Sequence, residues 1–93
     1  MGANAKRVKR EFRYRVGARI RARRVAAGLA QSELARLLPG RVEGGQVSRW
    51  ERGESFPTYA NVLALARALG VSEEALLCGA GEEDRPRRRR KAA

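Results

Sequence analysis

The sequence predicts a compact all-α domain of five helices, and three observations carry that expectation. Apolar residues recur three and four positions apart, Gly and Pro interrupt the chain at helix-length intervals, and no strand alternation, internal repeat or heptad run is present. A chain of 93 residues suits one domain with a single small core. The composition is 43% hydrophobic but only 5% aromatic, so Leu, Val, Ile and Ala must supply most of the packing, as in bundled helices.

Residues 1–9, "MGANAKRVK", show no periodicity and read as a flexible basic arm. Over residues 10–27 the pattern changes: Phe12, Val16 and Ile20 recur every fourth residue with Arg13, Arg15, Arg19 and Arg21 between them, which predicts an amphipathic first helix stopped by Gly28. Leu34, Leu37 and Leu38 give residues 31–38 an apolar stripe, and Pro39-Gly40 ends this second helix. Residues 42–45 form a Gly-rich turn, and residues 46–52 a third helix closed by Gly53. Pro57-Thr58 opens a fourth, with Val62, Leu63, Leu65, Ala66 and Leu69 facing inward until Gly70. Ser72 caps a fifth, "SEEALLCG", whose Glu73 and Glu74 suit the positive end of the helix dipole. Residues 80–93 are a basic low-complexity tail.

The net charge of +11 sits at the ends. Residues 1–25 carry ten Lys or Arg against one Glu, residues 26–79 five Arg against six Glu, and residues 80–93 six basic against three acidic residues. A near-neutral body with basic extremities points to a polyanionic partner, nucleic acid first and an anionic membrane surface second. No apolar run is long enough to span a bilayer, and no secretory signal is present, so a cytoplasmic, nucleoid-associated protein is expected. The single Cys78 has no disulfide partner and reads as a small buried hydrophobe. With no His in the chain, a zinc site of Cys and His is excluded, and neither a metal nor a cofactor is expected. Scattered carboxylates and the lack of a phosphate-binding Lys-Ser or Lys-Thr after residues 40–45 argue against an enzyme.

The segment "QVSRWERGESFP" carries the functional signal. At 100° per residue, Val47, Trp50 and Glu51 share one face of the third helix, while Gln46 and Arg49 share another. The seven residues between the second and third helices keep the two packed together. Gln46 and Arg49 then point outward, either as a solvated face or as readers of adenine and guanine in the major groove.

These residues, with "IRARRVAAGLAQSELARLL" before them, resemble the phage repressor and Cro-type (XRE-like) helix-turn-helix family over about residues 16–78. The motifs are Gly28, Leu29, Gln31, Leu34 and Ala35, then Ser48, Trp50, Glu51 and Gly53, then Pro57 and Leu69-Gly70-Val71. The resemblance implies a repressor-like fold with the second helix across the phosphate backbone and the third in the major groove, in a two-fold dimer. It implies backbone contacts from Gln31, Ser48, Arg52, Gly53 and Ser55, and a structural ion pair between Arg24 and Glu51. The inward position of Glu51 independently asks for a cation.

Three departures from the family pattern bear on this. Ala30 stands where Ser or Thr usually caps the second helix, a loss of about 1 kcal/mol. Pro39, Gly40 and Arg41 lengthen the following link by about two residues. Gly44 and Gly45 occupy positions that often read bases, so readout falls to Gln46 and Arg49, joined by Arg41 and Glu43, with Gly45 allowing close backbone approach, or partly to DNA shape. The arm residues Lys6, Arg7, Lys9 and Arg10 are expected on phosphates, in competition with plain solvation. Two functions are carried forward. One is a sequence-specific double-stranded DNA-binding repressor, dimeric through the fifth helix around Leu76 and Leu77. The other is an adaptor that bridges DNA and a protein partner, RNA polymerase or a toxin, through its tails.

Overall fold

The computed structural model describes residues 2–79, and the side chains from Ala5 onward. Five helices follow one another: α1 Gly2–Ala26, α2 Gln31–Arg36, α3 Gly44–Glu51, α4 Tyr59–Leu69 and α5 Glu73–Cys78. The described residues contain no strand, as expected for an all-α chain.

One core joins all five. Val16 and Ile20 of α1, Leu34 and Ala35 of α2, Leu38 just beyond it, Val47 and Trp50 of α3, Leu65 and Ala66 of α4 and Leu76 of α5 are buried together. The most extensive packing is α3 against α2 and α1, so α3 is held from two sides. Gly17 sets the spacing between α1 and α3. A Cβ there would collide with the Trp50 carbonyl oxygen and lie 2.8 Å from that of Glu51.

The turns use the chemistry their residues allow. Gly28 adopts φ 74° after α1, and Leu29 N–H returns to the Arg24 carbonyl at 3.1 Å. Thr58 Oγ1 accepts from Asn61 N–H at 3.2 Å and Ser72 Oγ from Ala75 N–H at 3.0 Å, capping α4 and α5. Ala30 supplies no side-chain cap to α2, and the Glu33 carboxylate accepts the Ala30 N–H at 2.7 Å. One half of a capping box thus survives the loss of the hydroxyl.

Several boundaries differ from the sequence reading. The arm expected over residues 1–9 is helical from Gly2, because Ala, Lys and Arg favour helix and adding turns to an existing helix avoids the cost of nucleation. The C-terminal tail, residues 80–93, lies outside the described residues. Helix α2 ends at Arg36, since Leu37 and Leu38 turn with three-residue hydrogen bonds ahead of Pro39. Leu38 is buried but Leu37 is exposed. Helix α3 begins at Gly44, two residues earlier than expected, so Gly44 and Gly45 are helical.

Phe12 is exposed and stacks at 5.5 Å on Phe56 at the edge of the core, because α1 extends past the body at that point. Leu63 and Leu69 are half-buried. Cys78 is exposed and not buried, as it lies about 200° around α5 from the core residue Leu76. Leu76 itself is fully buried and offers nothing to a dimer partner, while Leu77 is half-buried.

Candidate nucleic-acid interface

The platform under α3 is polar at its base. Arg24 Nε donates to Glu51 Oε2 at 2.6 Å and Arg24 Nη2 to Oε1 at 3.0 Å, a two-pronged pair with side chains 12% and 3% exposed. Gln31 Nε2 donates to the same Glu51 Oε1 at 3.0 Å, and Arg24 Nη1 donates to the Leu29 carbonyl at 2.9 Å. One carboxylate therefore ties the C-terminal end of α1, the start of α2 and the last turn of α3 together. The hydrogen bond to Glu51 raises the Arg24 pKa above its ordinary value, overcoming the opposite effect of burial.

Two further arginines of α1 position its neighbours. Arg19 Nη1 donates to the Leu76 and Leu77 carbonyls, each at 3.1 Å, satisfying the end of α5. Arg13 Nε reaches the Gly53 carbonyl at 3.4 Å. Gly53, at φ 76°, sits so close to α1 that a Cβ would lie 2.9 Å from Tyr14 Cα. The turn after α3 is thereby seated on α1.

On this platform Gly45, Gln46, Arg49 and Arg52 are the exposed residues of α3 and its C-cap, with Arg41 and Glu43 exposed just before it. Nothing lies within 4 Å of a Cβ added at Gly45. Gln46 is not simply outward: its Oε1 accepts the Glu43 N–H at 3.2 Å, capping α3. Its amide NH2 remains able to donate. Arg52 is engaged as well. Its Nε and Nη2 donate to Glu54 at 2.8 and 3.0 Å, and its Nη1 to Ser48 Oγ. The Arg52 hydrogen bond holds the Glu54 carboxyl below its ordinary range, with Arg49 adding to the effect, and Glu54 in turn raises Arg52. Both partners are more than half exposed, so water competes for this pair.

Gln31, Ser48 and Arg52 come together with Tyr14 and Arg21 around a cleft between α1, α2 and α3. Gly53 and Ser55 are half-buried in the following turn, and Lys6, Arg7, Lys9 and Arg10 are exposed along α1, away from Gln46 in sequence but on one continuous helix with the platform. Sequence reasoning overlooked Gly17, Tyr14 and Arg21. Gly17 carried a signal, an isolated glycine inside a strong helical pattern. Tyr14 and Arg21 carried none, as their neighbours come from other helices.

Residues 15–77 match the helix-turn-helix domain family. The chain belongs to that family. It is 41% identical over 64 residues to repressor protein C2 of Salmonella phage P22, covering 69% of this chain and 29% of that protein. It is 40% identical over 70 residues to the HTH-type transcriptional regulator DicA of Escherichia coli (strain K12), covering 75% and 49%. This helix-turn-helix chain thus spans less than half the length of either relative. In three dimensions it is similar to the P22 c2 repressor solved in complex with the synthetic operator 9T. The TM-score is 0.65 at 41% identity, over 69% of this chain and 94% of that one.

Among the described residues no helix is long and apolar enough to cross a membrane, and no group of His, Cys, Asp or Glu is placed to hold a metal ion. The helix-turn-helix is formed by α2 and α3, with Trp50, Val47 and Leu34 between them and Glu51 bound to both α1 and α2.

Proposed function

We propose that this helix-turn-helix protein is a transcriptional regulator of the repressor type that binds double-stranded DNA sequence-specifically, with α3 in the major groove. The observation that carries the reading is a short helix with its inner face locked by the Arg24–Glu51–Gln31 cluster and its outer face, Gly45, Gln46 and Arg49, open to solvent. The likeness to a repressor solved on an operator supports it. Arg49 reads guanine through a bidentate fork, and the Gln46 amide donates to an adenine edge while its oxygen stays on Glu43. Arg41 and Glu43 flank these contacts, and Gly45 lets the backbone approach the groove wall.

Gln31, Ser48, Arg52, Gly53 and Ser55 lie along the phosphates, and the Lys and Arg of the first turns of α1 add non-specific attraction. The protein acts as a homodimer on a two-fold site in the cytoplasm of a bacterial or phage-infected cell, on the nucleoid. Leu76 takes no part in that dimer, being committed to the core. Rounds of selection from random-sequence duplexes, followed by footprinting of the winners, test the reading. A two-fold symmetric consensus is the expected result. Binding with no sequence preference would transfer the function to an adaptor that bridges DNA and a protein partner.

A further inference from the structure

The geometry points to the N-terminal overhang of α1 as a rigid arm that grips the phosphates of duplex DNA flanking the base-reading site, through Arg7 and Arg10. This inference rests on the DNA-binding reading above and adds a surface that lies outside the family match, which begins at residue 15.

Arg7, Arg10 and Tyr14 line one shallow hollow together with Arg52, Gly53 and Glu54 from the turn after α3. Tyr14 and Arg52 also line the adjoining cleft, where Arg21, Gln31 and Ser48 complete the wall. Arg7, Arg10, Tyr14 and Arg21 fall within about 60° of one another around α1 at 3.6 residues per turn. Arg7, Arg10 and Arg21 therefore share one face of α1, and Arg52 from the C-cap of α3 borders that face in both the hollow and the cleft, giving an arginine-lined track. Gly17 and Gly53 fix the angle at which α1 leaves the body, since neither position has room for a Cβ.

The part of α1 before Phe12, the first residue that packs on the body, is about 15 Å long at 1.5 Å per residue, the length of about four base pairs at 3.4 Å each. A helix is already ordered, so gripping the flank costs less conformational entropy than ordering a coil. The chemistry of the track selects its occupant. It presents guanidinium groups and a phenol, and its two acids are Glu11 beside Arg7 and Arg10 and Glu54 already paired with Arg52. The exposed Val8 and Phe12 lie on a different side of α1, so between Arg7 and Arg21 the cationic face carries no exposed Val, Leu, Ile or Phe to insert into a membrane.

The test compares two duplexes that carry the selected site, one ending at its edges and one with flanks of about ten base pairs, a helical turn. Wild type is expected to show a salt slope steeper by about 1.8 on the flanked duplex, two phosphates at about 0.9 each. Arg7→Gln with Arg10→Gln should abolish that difference while keeping the site preference, and Arg7→Lys with Arg10→Lys should keep most of it. Equal slopes for wild type on the two duplexes would overturn the inference, as would an equal loss by the Gln variant on both. Sequence preference lost with the flank effect intact would instead overturn the operator reading and leave this one standing.

Discussion

A methyl group at Gly17 would strike the backbone carbonyl of Trp50, so at this point α1 and α3 meet backbone to backbone with no room for a side chain between them. The obstacle is backbone on both sides, and no rotamer change relieves it. Gly17→Ala should therefore destabilise by about 1 to 3 kcal/mol, even though Ala gains about 1 kcal/mol of helix propensity over Gly. Gly45→Ala, in open space on the same helix pair, should be neutral or stabilising by up to about 1 kcal/mol. Urea denaturation of the two variants checks the contrast. A Gly17→Ala protein as stable as wild type would show that α1 can pivot freely on α3.

Arg24→Met leaves Glu51 buried without its cation and should lower stability by about 3 kcal/mol. Arg24→Met combined with Glu51→Leu should recover much of that loss, since a buried pair replaced by apolar groups is often near neutral. The double variant also frees Gln31 from its carboxylate, so it should fold well yet bind DNA more weakly. Denaturant midpoints and binding titrations on the same samples separate the two effects.

Arg49→Ala should cost about 1 to 3 kcal/mol on the selected site and relax preference at one or two base pairs, with little change on random DNA. An equal loss on both would reassign Arg49 to a phosphate.

Gln46 caps α3 through its oxygen, and the proposed base contact uses its amide instead. Gln46→Glu keeps an oxygen for the Glu43 N–H but removes the amide donors that the proposed adenine contact requires. We expect unchanged thermal stability with reduced affinity for the selected site. Gln46→Ala should lose some of both.

Glu54 holds Arg52 away from solvent anions, so Glu54→Gln should raise affinity for all sequences and steepen the salt slope by about 0.9 if one phosphate is gained. The pair also marks the pH profile of stability. Because the folded-state pKa of Glu54 is depressed, its contribution is present above the ordinary carboxylate value and is lost as pH falls through the folded one. Acid titration of Tm should show a shallower fall for Glu54→Gln than for wild type.

The five helices, their order and the inward set of Val16, Ile20, Leu34, Val47, Trp50 and Leu65 were legible in the sequence, because helical periodicity and Gly, Pro, Ser and Thr punctuation are local properties, whereas Leu76, read as a dimer contact, is a core residue. So was the demand of Glu51 for a cation, since a charge on an apolar face is costly unless paired. What the residues of α3 can touch was decided only in three dimensions. The oxygen of Gln46 turns back to Glu43, a contact that depends on α3 starting at Gly44, and Arg52 is held by Glu54 and Ser48. The helical state of residues 2–9 also escaped the pattern, as residues 5–9 are all exposed and so show no apolar period. Gly17 shows the limit most sharply: a glycine between Val16 and Ala18 looks like a weak point in a helix, and only the carbonyls of Trp50 and Glu51 arriving from α3 make it the one residue that fits.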